Sequence, residues 1–405
     1  MRSGNIAIIT HVNPFASGSG QIQRVYNTLL AIAADWDTIT VYTLAHDLER
    51  KEKVQQLLAV NPSLRVVYLK QPRMLNLLKP AFHLLPYLGF GKPSNWIIPF
   101  IFRQLDVNLF SSCNCVLFEY WHLYKLAVKI KSRNIKVVCD THNILLGSFK
   151  EYIAKKKLPA SYKRYLVNSY RRLEFKKALG SFNALIAINK EEEAIYKKEF
   201  PANQIIYCPM GVKLAKSSFL QHSNGAGKYF TVVYYGGLGN PRNSRAALEV
   251  YSALFESSTL AKLPLIYKIL GSDPPRQLTD LSLANSSVKV PGFVEDLSTA
   301  LSGVDLAVIP FEGKYGFRSR LIELMYYGIP VLTTRDAVWG MGFNSGTDIF
   351  IYEPGDNLQE IIIELLNDTD KRKLVSQNAK AKVEKEFTFE TTYGKLSGEL
   401  KKMTA

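Results

Sequence analysis

Short apolar runs recur along the chain with room for a helix between each pair. NIAIIT (5–10), TITVYTL (38–44), LRVVYLK (64–70), CVLFEY (115–120), IKVVCD (135–140) and ALIAIN (184–189) form a first set. FTVVYYGG (230–237), LIYKILG (265–271), SVKVPG (287–292), DLAVIPF (305–311), IPVLTT (329–334) and DIFIYE (348–353) form a second. Most are continuously apolar and rich in β-branched residues, which suits strands of a parallel sheet covered on both faces. Strands alternating with helices predict an α/β protein with two parallel sheets, each a Rossmann-like layer structure. Periodicity lapses in CPMGVKLAKSSFLQHSNGAGK (208–228), where Gly, Ser and Lys collect. This places one domain at residues 1–212 and a second at 213–388. Only helices follow DIFIYE, and the last, about 389–405, is expected to pack back on the first domain.

At 405 residues the chain exceeds one ordinary core, in keeping with two domains. With 47% hydrophobic and 21% charged residues it is a folded globular protein. The formal charge of +16 is unevenly placed: residues 1–215 hold 30 Lys and Arg against 14 Asp and Glu, while the remainder holds 21 of each. The first half therefore attracts anions at long range, whether nucleic acid, an anionic membrane surface or a phosphorylated substrate. Cys113, Cys115, Cys139 and Cys208 form no C-x-x-C pair. They read as small buried hydrophobes of a protein in a reduced intracellular compartment. The first apolar run is too short for a signal peptide. PAFHLLPYLGFGKPSNWIIPFIF (80–102) is broken by Lys92 and four prolines. It is expected to lie in a membrane interface, not to span one.

Three places carry candidate chemistry. Gly236, Gly237 and Gly239 make a turn straight after a strand, and Asn240-Pro241 caps the next helix. A helix N-terminus facing such a turn favours an anion. This is not G-x-G-x-x-G, and no acidic residue closes the next strand, so a dinucleotide site is not expected. In YGFRSRLIELMYYGIPVLTT (315–334), Arg320 and Glu323 are three apart and can share a helix face. Arginines can grip phosphate oxygens in a forked geometry, and a carboxylate can accept two ribose hydroxyls. The plainer reading of the two residues alone is a surface ion pair. His142 follows the strand IKVVCD, where ligand crevices form in parallel sheets. The D-x-D triplets Asp35/Asp37 and Asp368/Asp370 fall between elements, where capping chemistry explains them, and no metal site is expected.

The second half resembles the donor-binding domain of the GT4-type, group 1 glycosyltransferases, a family of two-domain GT-B architecture. The resemblance is carried by VVYYGGLGNPRNSRAALEVY, VPGFVEDLSTALSGVDLAVIPF and GFRSRLIELMYYGIPVLTT. IIYCPMGV resembles the family's hinge strand. In the first half NPFASGSGQIQRVYNTLLAIA and VVCDTHNILL resemble its glycine loop and D-x-H-N segment. The resemblance implies two Rossmann-like domains facing a central cleft. It implies that Glu323 binds the nucleoside ribose and that Arg320 and Arg318 bind the diphosphate. Gly236 and Gly237 would let backbone approach the phosphates or acceptor, while Phe293, Val294 and Asp296 would line the base. Gly18 and Gly20 would close over the donor, and His142 would face the transferred sugar. Two departures stand out. Tyr315 occupies a place where many members carry an acid, and Gly237 one where many carry Arg, leaving Arg242 or Arg245 as substitutes.

The expected activity is transfer of a sugar from a nucleotide-diphosphate sugar to an acceptor hydroxyl, retaining and without a metal or other cofactor. The expected acceptor is a glycan or lipid-linked molecule, with the basic half on the inner face of the cytoplasmic membrane through residues around 73–105 and 155–177. A basic nucleic-acid-binding protein, a GT-B sugar-nucleotide epimerase and an inactive sugar-binding relative are the competing readings; no nucleic-acid motif is present.

Overall fold

The computed structural model describes residues 4–16, 20–45, 49–88, 91–213, 229–256 and 263–404. The chain divides into two compact units, residues 1–210 with 392–405, and residues 211–391. The last helix, Tyr393–Thr404, belongs to the first unit and packs on the helix Gly20–Ala33.

The first unit is built on a seven-stranded parallel sheet. Its strands are β1 (Asn5–Ile9), β2 (Thr38–Leu44), β3 (Leu64–Leu69), β4 (Cys115–Glu119), β5 (Lys136–Asp140), β6 (Ala184–Ala187) and β7 (Gln204–Tyr207). Their order is β3-β2-β1-β4-β5-β6-β7. Every residue of β4 and β6 is buried, as continuous apolar runs require in a sheet with helices on both faces. The order reverses direction between β1 and β4, the place where parallel sheets open a crevice at their carboxyl ends.

The second unit repeats the plan with six parallel strands: β8 (Phe230–Tyr235), β9 (Leu265–Leu270), β10 (Val288–Gly292), β11 (Leu306–Ile309), β12 (Val331–Thr334) and β13 (Phe350–Tyr352). The order β10-β9-β8-β11-β12-β13 puts its switch point between β8 and β11. All twelve apolar runs singled out in the sequence are strands, and the hinge segment supplies β7. The carboxyl ends of β8 and β11 carry the glycine turn and the loop that ends at Arg318.

The broken apolar stretch of the first unit becomes a helix (Leu75–Leu84), a 3-10 turn (Leu85–Leu88) and a helix (Ser94–Phe102), with Pro80 and Pro99 inside the helices. Among the described residues no helix is long and apolar enough to cross a membrane. All four cysteines are free thiols, three of them fully buried, and burial pushes Cys115 up to about 12. The D-x-D carboxylates serve local structure. Asp37 accepts the backbone N–H of Gly4 at 2.8 Å, and Asp368 caps the helix Thr369–Glu386 by accepting from Lys371 N–H at 2.9 Å.

Candidate functional site

In the second unit the site grows from the end of β8. The chain leaves Tyr235 through Gly236 to Gly239, and Asn240 starts the helix Pro241–Phe255 by accepting the Arg242 N–H at 3.0 Å. The glycines here have separate reasons. A Cβ on Gly236 would lie 2.1 Å from Arg320 Nη1, so the absent side chain is the room in which that guanidinium sits. Gly271, at the end of β9, has φ +152° and a Cβ there would meet the Gly236 carbonyl oxygen at 1.9 Å. Gly237 is uncrowded, its nearest neighbour being Ser272 Oγ at 4.0 Å, so nothing inside the chain demands a glycine at that position.

Arg320 and Glu323 lie on the helix Ser319–Tyr326. No ion pair joins them among the described residues, so the surface-pair reading does not describe them. Both reach the end of β8 instead. Arg320 Nη1 donates to Tyr234 Oη at 3.2 Å, the Tyr235 carbonyl at 3.3 Å and Asn243 Oδ1 at 3.2 Å. Glu323 accepts the Tyr235 hydroxyl at 2.9 Å. Burial pushes the Glu323 carboxyl up, against the Tyr235 hydrogen bond and the Arg320 charge. Both residues are intermediate in exposure.

Arg318 lies over the Phe311 ring, 3.4 Å from its centroid, and donates to the Tyr315 carbonyl at 3.0 Å. Arg242 donates to the Tyr315 hydroxyl. The two departures from the family pattern thus meet: the tyrosine standing at the acidic position holds the arginine that follows the glycine turn. Phe293 is 63% exposed, and Val294 is half-buried. The Asp296 carboxylate is engaged as an N-cap, accepting from Thr299 N at 3.2 Å and Thr299 Oγ1 at 2.5 Å, which holds its pKa below the usual range. Tyr234, Tyr235 and Asn243 are the partners that sequence reasoning missed. The signal was present in the doubled tyrosine ending an otherwise aliphatic strand.

In the first unit His142 follows β5 with φ +55°, and Tyr120 follows β4 with φ +70°. Positive φ at two bulky residues on adjacent strand ends is costly and marks a place the surroundings hold by force. The rings stack with centroids 4.2 Å apart, and His142 Nε2 bonds Glu119 Oε2. Beneath them Arg24, from the first helix, grips Asp140 through Nε at 2.8 Å and Nη2 at 2.9 Å, and donates to the Cys208 carbonyl at 3.0 Å. Burial opposes the Arg24 charge, but Asp140 overrides it and holds the guanidinium above its ordinary pKa. Burial and the Asp140 charge push Glu119 up, with the His142 bond opposing. Ligand atoms of Glu119, Asp140 and His142 lie within 4.8 Å of one another, a spacing a cation could use. Arg24 already supplies a positive charge to Asp140 there. His11 and His122 flank the same aromatic group, 5.7 Å apart. Burial, then the His142 charge, lowers His11 to about 4. Gly20 opens its helix and is exposed; Gly18 lies outside the described residues.

Residues 229–368 match the sequence model of a family described as "Glycosyl transferases group 1". No curated protein matches the chain in sequence. Among solved structures, the chain is similar to sucrose-phosphate synthase from Thermosynechococcus elongatus (17% identity, 99% of this chain and 98% of that one, TM-score 0.66). It is similar to Anabaena Alr3699/HepE, solved in complex with UDP and glucose (16% identity, 99% and 100%, TM-score 0.63). A third is WaaG, a glycosyltransferase involved in lipopolysaccharide biosynthesis (14% identity, 98% and 99%, TM-score 0.62). At these identities the likeness shows the fold, two parallel-sheet Rossmann-like domains over the whole chain.

Proposed function

We propose that the chain, whose residues 229–368 match the sequence model of the group 1 glycosyl transferases, transfers a sugar from a nucleotide-diphosphate sugar to an acceptor hydroxyl, with retention of configuration. The observation that carries this reading is the convergence of Arg320 and Glu323 on Tyr235 at the β8 switch point. A carboxylate for the ribose diol and a guanidinium for the diphosphate then stand on one helix, anchored to the same strand end. Arg318 and Arg242 add positive charge to the same loops. Catalysis in this reading is electrostatic. As the bond between the anomeric carbon and the phosphate oxygen breaks, negative charge grows on the departing diphosphate, and preorganised guanidinium groups meet it without reorganising. No metal cofactor has a task in it. Phe293 and Val294 take the base, while Asp296 holds their loop. His142 contacts the transferred sugar, with Glu119 and Tyr120 fixing its ring.

Supporting the donor class, the Anabaena neighbour is described in complexes with UDP and with UDP-glucose. We take uracil as the first base to test and a hexose as the sugar.

The finer part of the proposal is a lipid-linked or cell-surface glycan acceptor, reached with the first unit on the inner face of the cytoplasmic membrane. Leu77 (80%) and Leu84 (64%) are strongly exposed on the broken apolar stretch. The basic segment around 155–164 packs beside it: Tyr162 Oη donates to the Tyr87 carbonyl, and Lys156 lies over the Tyr87 ring. Apolar side chains flanked by lysines suit an anionic bilayer surface. The involvement of WaaG in lipopolysaccharide biosynthesis points the same way.

Thermal stability with UDP, GDP, TDP, ADP and CMP, each with and without EDTA, tests the donor reading. A ligand at about 100 times its dissociation constant adds about 2.7 kcal/mol. One diphosphate should raise the melting temperature of the wild type in EDTA and fail to do so in Glu323→Ala. No response to any of the five would return Arg320 and Glu323 to a structural role.

A further inference from the structure

The first unit contains a cavity of about 670 Å³, within the range of small-molecule sites, that the glycosyl-transfer reading does not use. It is walled by the helix Ser94–Phe102, the 3-10 turn Trp121–Leu123, the helix Tyr124–Lys131 and the π-helical turn Arg172–Ala178. π-helical turns inside helices are frequent at functional places.

The lining has an unusual composition. Trp96, Pro99, Phe102, Leu105, Leu126 and Leu173 are among its apolar walls. Arg103, Lys125, Lys129, Arg172 and Lys177 are its charged residues, and no carboxylate lines it. None of these five cations is in an ion pair among the described residues, and all five are exposed. Glu174, the acid nearest in sequence, is turned inward and accepts from Trp121 Nε1 and the Leu145 and Leu146 N–H groups. His122 also lines the cavity. It is buried, and its Nδ1 has no hydrogen-bond partner. An orphaned polar atom in a buried ring costs free energy unless something arrives to satisfy it.

An apolar wall asks for an apolar body, and five cations with no ion-pair partner among the described residues ask for an anion, although Arg103 also lies over the Phe100 ring; we propose that this cavity binds an amphiphilic phosphate, a phosphorylated lipid. The apolar chain lies along the Trp96, Pro99, Phe102 and Leu173 walls. The phosphate takes the arginine and lysine side chains, and His122 Nδ1 completes the polar contacts. A nucleic acid is the weaker fit. Stacking needs a run of open aromatic faces, whereas Trp121 and Phe102 are almost fully buried, Trp96 is 36% exposed, and Pro99, Leu105, Leu123, Leu126 and Leu173 are aliphatic. The inference does not depend on sugar transfer.

The test is calorimetric titration of the full chain, without sugar donor, using dodecyl phosphate below its micelle concentration. Inorganic phosphate, dodecyl maltoside and a short single-stranded oligonucleotide are the comparison probes. Two variants attack the site differently: Lys125→Glu/Lys129→Glu/Lys177→Glu reverses exposed charge, and Leu126→Trp fills the cavity with the charge intact. Lys198→Glu/Lys373→Glu/Lys385→Glu, exposed and outside the lining, controls for overall charge. We expect one dodecyl phosphate per chain, binding at least tenfold weaker in both site variants and unchanged in the control. Inorganic phosphate and dodecyl maltoside should each bind at least tenfold more weakly than the amphiphilic anion. Equal binding of dodecyl maltoside, equal loss in the control, full retention in both site variants, or tighter binding of the oligonucleotide would each overturn the proposal.

Discussion

At the scale of single residues, the glycines around β8 separate what the fold needs from what a ligand needs. Gly271 is fixed by the fold, because its φ of +152° and the 1.9 Å approach to a backbone oxygen leave no place for a side chain. Gly271→Ala should therefore cost at least about 2 kcal/mol of stability, a loss of several degrees in melting temperature. Gly237 has open space around it, so Gly237→Ala should melt with the wild type. If backbone must approach a diphosphate there, the same variant should bind nucleotide at least about tenfold more weakly, a loss of about 1.4 kcal/mol. Melting curves with and without nucleotide read both effects. Normal nucleotide response in Gly237→Ala would remove that residue from the site. Sequence alone could not make this division, because both glycines end apolar strands and look alike in one dimension.

At the scale of elements, the carboxyl ends of β1, β4 and β5 bring His11, Tyr120, His122 and His142 together over Glu119 and Asp140. The strands were legible because continuous apolar runs fit only a covered sheet. The cluster was not, beyond His142, because its members lie on strands distant in sequence and adjacent only through the β1–β4 switch. Arg24 was hidden for the same reason: nothing local shows that it reaches Asp140, 116 residues away. The cluster carries a pH signature. Burial lowers His11 to about 4, with His142 adding to the effect, and lowers His122 by burial, His11 and Lys92. A histidine whose folded pKa is depressed contributes stability present above about 6.5 and lost as the pH falls through its folded value. For His11 the full loss is up to about 3 kcal/mol. Glu119 and Glu174 are shifted upward by burial and act in the opposite sense, so the wild-type profile alone does not isolate the histidine. Comparison with His11→Asn does. The variant should lose less stability than the wild type between pH 6.5 and 4, and parallel profiles would show that His11 takes up its proton alike in the folded and unfolded chain.

At the scale of the whole molecule, the positive charge belongs to residues 1–215 and the family match to residues 229–368. The sequence revealed this asymmetry directly, since charge needs only counting. It also singled out residues around 73–105 and 155–177, and the structure shows the two segments touching through Tyr87, Lys156 and Tyr162. It could not reveal the cavity behind Trp96, which four separate elements enclose. Each lysine near an anionic surface is worth on the order of 1 kcal/mol. The chain should therefore float with anionic vesicles, not with neutral ones, and Lys155→Glu/Lys156→Glu/Lys157→Glu should abolish flotation at physiological salt. Equal failure on both vesicle types would end the membrane reading while leaving the donor site untouched. In the proposed donor site the most specific element is the Glu323 carboxylate, which would hold a ribose diol. The direct measurement is calorimetric affinity for UDP and for its 2′,3′-dideoxy analogue, in wild type and in Glu323→Ala. The account predicts that the wild type binds UDP at least about tenfold better than the analogue, a difference of about 1.4 kcal/mol. Glu323→Ala should bind the two alike. A wild type indifferent to the hydroxyls, or a variant that still distinguishes them, would contradict it.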